Sequence, residues 1–158
     1  MAYLTGADKP PPGSGCVFCA KLAAPDDAEH LLARGQFACV TLNRYPYNNG
    51  HLMVLPYAHV ASLEDLDPPT LTELMLLTNR GLAVLRQAYR PDGFNIGVNL
   101  GQAAGAGITD HVHVHIVPRW NGDTNFMSTV AETRVVPEVP SETYRRLRAQ
   151  LEKEFNHP

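Results

Sequence analysis

The apolar positions change period several times along the chain, and each change marks an element. "QFACVTLN", residues 36–43, and "HLMVLPY", residues 51–57, are short runs of strand-favouring residues. The Pro, Asn and Gly of "RYPYNNG" between them predict a turn, so the pair reads as a hairpin. Asp67 before Pro68 starts a helix, and Leu71, Leu74, Met75, Leu82 and Leu85 recur at helical spacing until Arg90 and Pro91 end it. "GFNIGVNL", residues 93–100, returns to a strand, and "GQAAGAGITD" follows as a glycine-rich loop. In "HVHVHIV", residues 111–117, polar and apolar residues alternate until Pro118 closes the strand. Residues near Pro25 to Arg34 read as a short helix, "TRVVPE" from Thr133 as a short strand, and Ser141 to Phe155 as a helix with Ser141 near its start. The strands adjoin in sequence without regular helical crossovers, which favours an α+β fold with an antiparallel sheet.

Composition narrows the setting. The 158 residues, 44% apolar and 18% charged, make one ordinary domain with a sizeable core. A net charge of −3 without any basic run argues against a general grip on nucleic acid, so an anionic ligand must be held locally. No stretch approaches the roughly 18 apolar residues of a membrane span, and no basic segment leads into an apolar one at the start. The expectation is a cytoplasmic protein with neither nucleic acid nor membrane as partner. "CVFC" places Cys16 and Cys19 at a spacing that suggests metal or redox chemistry in a reducing compartment, whereas Cys39, inside an apolar run, reads as core.

Successive strand side chains point to opposite faces, so His111, His113 and His115 share one face while Val112, Val114 and Ile116 share the other. The valines are expected to be buried and the imidazoles to look into a cleft. Same-face neighbours lie roughly 7 Å apart, a row suited to a phosphate chain or to a metal, with a solvated polar face as the plain alternative. A flat strand presents converging metal ligands poorly. A neutral imidazole attacks phosphorus when its other nitrogen is hydrogen-bonded, and His113, flanked by two imidazoles, is best placed for that role. The loop before it is rich in glycine, which lets backbone N–H groups approach phosphate closely.

"HVHVHIV", "TLNRYPYNNGHLMVLPYAH" and "DHVHVHIVPRWNGDTNFM" together resemble the histidine triad (HIT) superfamily of nucleotidyl hydrolases and transferases, in its fragile-histidine-triad and diadenosine tetraphosphate phosphorylase-like branch. The likeness covers most of residues 16–136, which makes 1–15 an irregular N-terminal arm, 16–136 the HIT domain and 137–158 a helical extension. It implies a twisted antiparallel sheet of about five strands with one long helix and a C-terminal helix, assembled as a homodimer. It implies His113 as the nucleophile that takes up an adenylyl group, His115 and His111 as its supports, and His51 on the neighbouring strand. It assigns Asn43 to the ribose hydroxyls and Asn99 to the phosphate, roles that suit a side-chain amide with donors and an acceptor.

The chain departs from the pattern where many relatives carry a glutamine followed by Ser or Thr. Here stand Gly107 and Ile108, so the backbone amides of Gly105 to Gly107 are the expected substitutes. "CVFC" is also similar to the cysteine pair that galactose-1-phosphate uridylyltransferases and some bacterial triad proteins join to two histidines. That likeness implies a structural zinc on Cys16, Cys19, His59 and His111, with no organic cofactor. Arg119 and Trp120 after the strand are candidates for the phosphate chain and a base, as are Arg44 and Tyr45 in the hairpin turn. Asp110 either orients an imidazole or caps the loop. The implied activity is cleavage of dinucleoside polyphosphates, diadenosine tri- or tetraphosphate, with water or inorganic phosphate as acceptor and AMP as the product with water. A phosphoramidase acting on adenylylated amines and a non-catalytic AMP sensor are the alternatives.

Overall fold

The computed structural model describes residues 15–23, 31–123 and 138–156. Five strands, β1 (Leu31–Arg34), β2 (Ala38–Leu42), β3 (Leu52–Pro56), β4 (Gly93–Val98) and β5 (Val114–Arg119), form one sheet in the order β1-β2-β3-β5-β4. Every neighbouring pair is antiparallel. Among the described residues three α-helices accompany it: α1 (Val17–Ala23), α2 (Pro68–Tyr89) and α3 (Pro140–Asn156). The α+β architecture read from the sequence is the one observed.

The long helix α2 has the ends its sequence predicts. The Asp67 carboxylate accepts from the Thr70 N–H at 2.9 Å, Pro68 stands in the first turn, and Arg90 turns left-handed at φ 48° before Pro91. The helix covers one face of the sheet, burying Val40, Leu42, Leu52, Val54, Val114 and Ile116 against Leu74, Leu77, Val84 and Leu85. Gly81 allows that approach, because a Cβ there would stand 2.9 Å from Ile116. Helix α3 adds Leu147 and Leu151 to the same core. On the opposite face a smaller cluster of Phe18, Leu31, Cys39, Met53 and Leu55 lies under α1. Cys39 is core, as expected.

Two elements differ from the sequence reading. The helix expected near Pro25 to Arg34 is not formed at its described end: Leu31–Arg34 is β1, and the short helix comes earlier, at Val17–Ala23. Leu, Ala and Arg are good helix formers, but pairing with β2 decides the conformation. Residues 24–30 lie outside the described residues, as do 133–137 of the short strand expected from Thr133. Strand β5 also continues through Pro118 to Arg119, with Pro118 opposite Phe94. The proline carbonyl, and hence the side of its missing N–H, faces the turn beyond the end of β3, where the Asn48 amide donates to it at 3.1 Å. No ladder hydrogen bond is lost there.

Candidate active site

Alternation along β5 and the three residues before it puts His111, His113 and His115 on the face away from α2. They do not look into open solvent: their exposures are 0%, 2% and 7%. The reason is α1, whose Phe18 ring packs edge-on against His111 and His113 with centroids 5.5 and 4.9 Å away. Tyr47, from the turn between β2 and β3, lies over His115 at 6.0 Å and against His51 at 4.7 Å. His51 immediately precedes β3, and Met53 two residues later pairs with His115, so the two strands bring these histidines together.

Hydrogen bonds fix the protons on these rings. His113 Nδ1 lies 2.9 Å from the His111 carbonyl oxygen, an acceptor only, so Nδ1 carries the proton and Nε2 keeps its lone pair. The Tyr47 backbone N–H donates to His51 Nδ1 at 3.1 Å, which leaves the His51 proton on Nε2. His51 Nε2 is 3.0 Å from His115 Nδ1 and donates to it, so His115 carries its own proton on Nε2. Burial holds the rings neutral: His51 is lowered to about 3 by burial and by its two imidazole neighbours, and His115 to about 4 by burial and by His113. His113 is likewise lowered, chiefly by burial. Side by side, with ring centroids 4.7 Å apart, stand an imidazole with a bare Nε2 and one with an Nε2–H. The first can attack phosphorus and the second can donate a hydrogen bond to an oxygen that gains charge.

Asn43, at the end of β2, is buried beside this group with its amide nitrogen 3.4 Å from His51, while its oxygen accepts the Tyr45 N–H at 2.9 Å. Asn99 comes one residue after Val98, which pairs with Val114, so the next step of the register sets it opposite His113. In the glycine-rich loop, Gly105 (φ 87°) donates to Gln102 and Ala106 to Gly101, so both amides close a turn. The Gly107 amide is not among the bonds that close it. Arg119 lies roughly 13 Å along the strand from His115 and grips Asp123 with two nitrogens at 2.6 and 2.7 Å and Asn95 at 2.6 Å. Trp120 packs edge-on against Tyr89 at the end of α2. Arg44 sits over the Tyr45 ring in the exposed turn.

A second cluster adjoins the first. The ligand atoms of Cys16, Cys19, His59 and His111 all lie within 4.8 Å of one another. Cys16 Sγ is 3.5 Å from His111 Nδ1, Cys19 Sγ 3.6 Å from the same nitrogen, and Cys19 Sγ 3.4 Å from His59 Nδ1. Bonds of about 2.3 Å to sulfur and 2.0 Å to nitrogen give a tetrahedron with sulfur–nitrogen edges of about 3.5 Å. These three sulfur–nitrogen separations therefore match the edges of a tetrahedral metal site. His111 Nε2 donates to the Pro56 carbonyl at 2.9 Å, which turns its Nδ1 lone pair toward the cysteines, as outer partners do for ligating histidines. Asp110 lies 4.0 Å from His59 Nε2 on the side away from the cysteines.

Three contributors were not picked out from the sequence pattern: the Tyr47 backbone N–H, the Phe18 ring and Lys21. Phe18 was visible only through its place inside "CVFC". Lys21, one turn further along α1, donates to the Leu42 carbonyl at 3.0 Å beside Asn43, and burial lowers it to about 8.

A five-stranded antiparallel sheet with three imidazoles in a row and a fourth donating into it defines a histidine triad protein. The HIT domain model matches residues 28–122, and the chain belongs to that family. It is 45% identical over 122 residues to an AP-4-A phosphorylase from Mycobacterium tuberculosis, covering 77% of this chain and 63% of that protein. The chain thus spans less than two thirds of the length of that curated relative. It is 34% identical over 90 residues to the asymmetrical bis(5'-nucleosyl)-tetraphosphatase of Schizosaccharomyces pombe, covering 57% of this chain and 49% of that protein. Among solved structures, a zinc-bound histidine triad family protein from Mycobacterium smegmatis superimposes with a TM-score of 0.73 at 32% identity, covering 91% of this chain and 98% of that one.

Proposed function

We propose that the chain cleaves dinucleoside polyphosphates, diadenosine tri- or tetraphosphate, by transient nucleotidyl transfer to His113. The observation that carries this reading is the His113 Nδ1–H bond to the His111 carbonyl, which leaves Nε2 as a neutral nucleophile. The names of the two curated relatives support the substrate class. Nε2 attacks the α-phosphorus, a P–N bond forms, and the bond to the bridging oxygen breaks with its electron pair leaving on the polyphosphate. His115 Nε2–H donates a hydrogen bond to the departing oxygen or to a phosphoryl oxygen where negative charge develops, and keeps its proton. The acceptor then attacks the same phosphorus, and the P–N bond breaks with its electron pair returning to His113 Nε2: water gives AMP and releases a proton to solvent, inorganic phosphate gives ADP. Asn43 is assigned to the ribose, Asn99 and the Gly107 amide to phosphate oxygens. Gly105, Arg119 and Trp120 shape the loops around the phosphate chain without a bond to it.

Zinc held by Cys16, Cys19, His59 and His111 would supply structural anchorage, tying α1 to the start of the catalytic strand. The zinc-bound neighbour and the fitting donor set support it. The chain is organised as an arm over 1–15, a catalytic domain over 16–136 and a helical extension over 137–158. Two copies associate, and the outer edge of β4, with Ile96 and Leu100 exposed at 47% and 41%, is where unpaired strand backbone and apolar side chains coincide. No helix among the described residues is long and apolar enough to cross a membrane. The three reduced cysteines fit the cytoplasm.

Chromatography of products from diadenosine tetraphosphate, with and without inorganic phosphate, tests the reading. AMP with ATP regardless of phosphate identifies a hydrolase, and ADP with ATP only when phosphate is present identifies a phosphorylase. Tight AMP binding without any product contradicts the proposal and leaves a sensor. Faster turnover of an adenylylated amine than of the polyphosphate replaces it with a phosphoramidase.

A further inference from the structure

The turn between β2 and β3 decides where the His51 proton sits, and two residues outside the imidazole row hold that turn. The Asn48 side-chain amide donates to the Pro118 carbonyl at 3.1 Å and to Asp123 Oδ2 at 2.8 Å, while the Asn48 backbone carbonyl accepts the His51 N–H at 3.2 Å. Asp123 also accepts from the Arg119 guanidinium through both oxygens and from the Trp120 N–H at 3.1 Å. Arg119 in turn reaches Asn95 on β4. The turn is thereby stapled to the end of β5 and, through Arg119, to the edge strand. Tyr47, the residue next to Asn48, provides the N–H that His51 Nδ1 accepts.

We propose that Asn48 and Asp123 are positioning residues for the reaction, because by pinning the turn to β5 they keep the Tyr47 N–H on His51 and so fix the tautomers of His51 and His115. The inference rests on the nucleotidyl-transfer reading of the site. Each ring keeps one proton throughout, and only its position is at stake. With the Tyr47 N–H in place, His51 holds its proton on Nε2, His115 accepts with Nδ1, and His115 Nε2–H is available as a donor. If the turn swings away, His51 Nδ1 keeps only the longer contact to the Asn43 amide at 3.4 Å, and we infer that it then takes the proton and leaves His51 Nε2 as an acceptor. His115 must then place its proton on Nδ1 to meet it. Its Nε2 is left bare beside an equally bare His113 Nε2, and the site has lost its donor. His113 is untouched, since its tautomer is set by the His111 carbonyl. The carboxylate of Asp123 is a dependable anchor because the Arg119 guanidinium beside it holds it well below the usual carboxylate range.

Two-bond proton–nitrogen spectra of the full chain with labelled histidine read each tautomer without any substrate. The wild type is expected to show Nε2–H at His51 and His115 and Nδ1–H at His113. Asn48→Ala and Asp123→Asn are expected to move His51 and His115 toward Nδ1–H and leave His113 unchanged. Their kcat on diadenosine tetraphosphate should drop about 10–100-fold with KM within about twofold, and Asp123→Glu should recover part of both readouts. If Asn48→Ala does not fold, Asn48→Ser reads the same atoms with a milder change. Unchanged His51 and His115 tautomers in folded variants overturn the inference, whatever happens to kcat. Tautomers that follow the substitutions while the wild type leaves diadenosine tetraphosphate intact count against the proposed reaction and uphold the positioning role.

Discussion

Four imidazoles packed against one another are an expensive arrangement unless all are neutral, and their burial makes them so. His51 and His115 have folded pKa values of about 3 and about 4, below the value near 6.5 of an unfolded histidine. Between these limits the unfolded chain binds the extra protons. The stability these two groups contribute is therefore complete above about pH 6.5 and is lost as the pH falls toward 4. Near pH 5 each gives a slope of about 1 kcal/mol per pH unit, and His51→Gln should remove roughly half of their joint effect. Urea midpoints at pH 7, 6 and 5 check this, and parallel pH dependence in wild type and variant contradicts it. The row itself was legible, because alternation alone puts His111, His113 and His115 on one face. Their burial was not, since the covering ring of Phe18 comes from a helix almost a hundred residues away in the chain. Nor was the Tyr47 N–H, for a backbone donor leaves no mark in a pattern of side chains.

At the scale of elements, the hairpin and α2 were readable because local signals agreed with the final contacts: turn residues in "RYPYNNG", Asp67 and Pro68 at one end of the helix, Arg90 and Pro91 at the other. β1 was misread because its residues favour a helix and only pairing with β2 makes it a strand. Its turn is held by a residue with no local signature. Glu73 of α2 accepts the N–H groups of Gln36, Phe37 and Ala38 at 2.5–2.8 Å, and Gly35 leaves room for that carboxylate. Glu73→Ala strands all three donors and should destabilise the fold by about 3 kcal/mol, measured by denaturant unfolding. A loss under about 0.5 kcal/mol, the range of ordinary surface substitutions, would show that water replaces the carboxylate at no cost. The β1–β2 corner borders the smaller core through Leu31 and Cys39, so the loss should extend to the packing of α1.

Across the whole molecule, the two functional clusters meet at one residue. His111 turns its Nδ1 toward Cys16 and Cys19 and offers its carbonyl to His113, so whatever orders the cysteines also orders the proposed nucleophile. The pairing of "CVFC" with His59 and His111 came from family likeness, and the fold brings the four together across residues 16 to 111. Native mass spectrometry should find two chains carrying two zinc ions, and chelation should release the metal and loosen α1. A metal-free mass from a zinc-replete preparation sinks the metal assignment, and a lone chain at micromolar concentration sinks the dimer. The central claim, that His113 is transiently nucleotidylated, is tested most directly by trapping the adduct. Protein mixed with diadenosine tetraphosphate, quenched in alkali and digested, should yield an adenylylated peptide with the modification on His113. His113→Ala should give no adduct and turn over at least about 10³-fold more slowly. Turnover at the wild-type rate in that variant, or an adenylyl group mapped to another residue, would contradict the account.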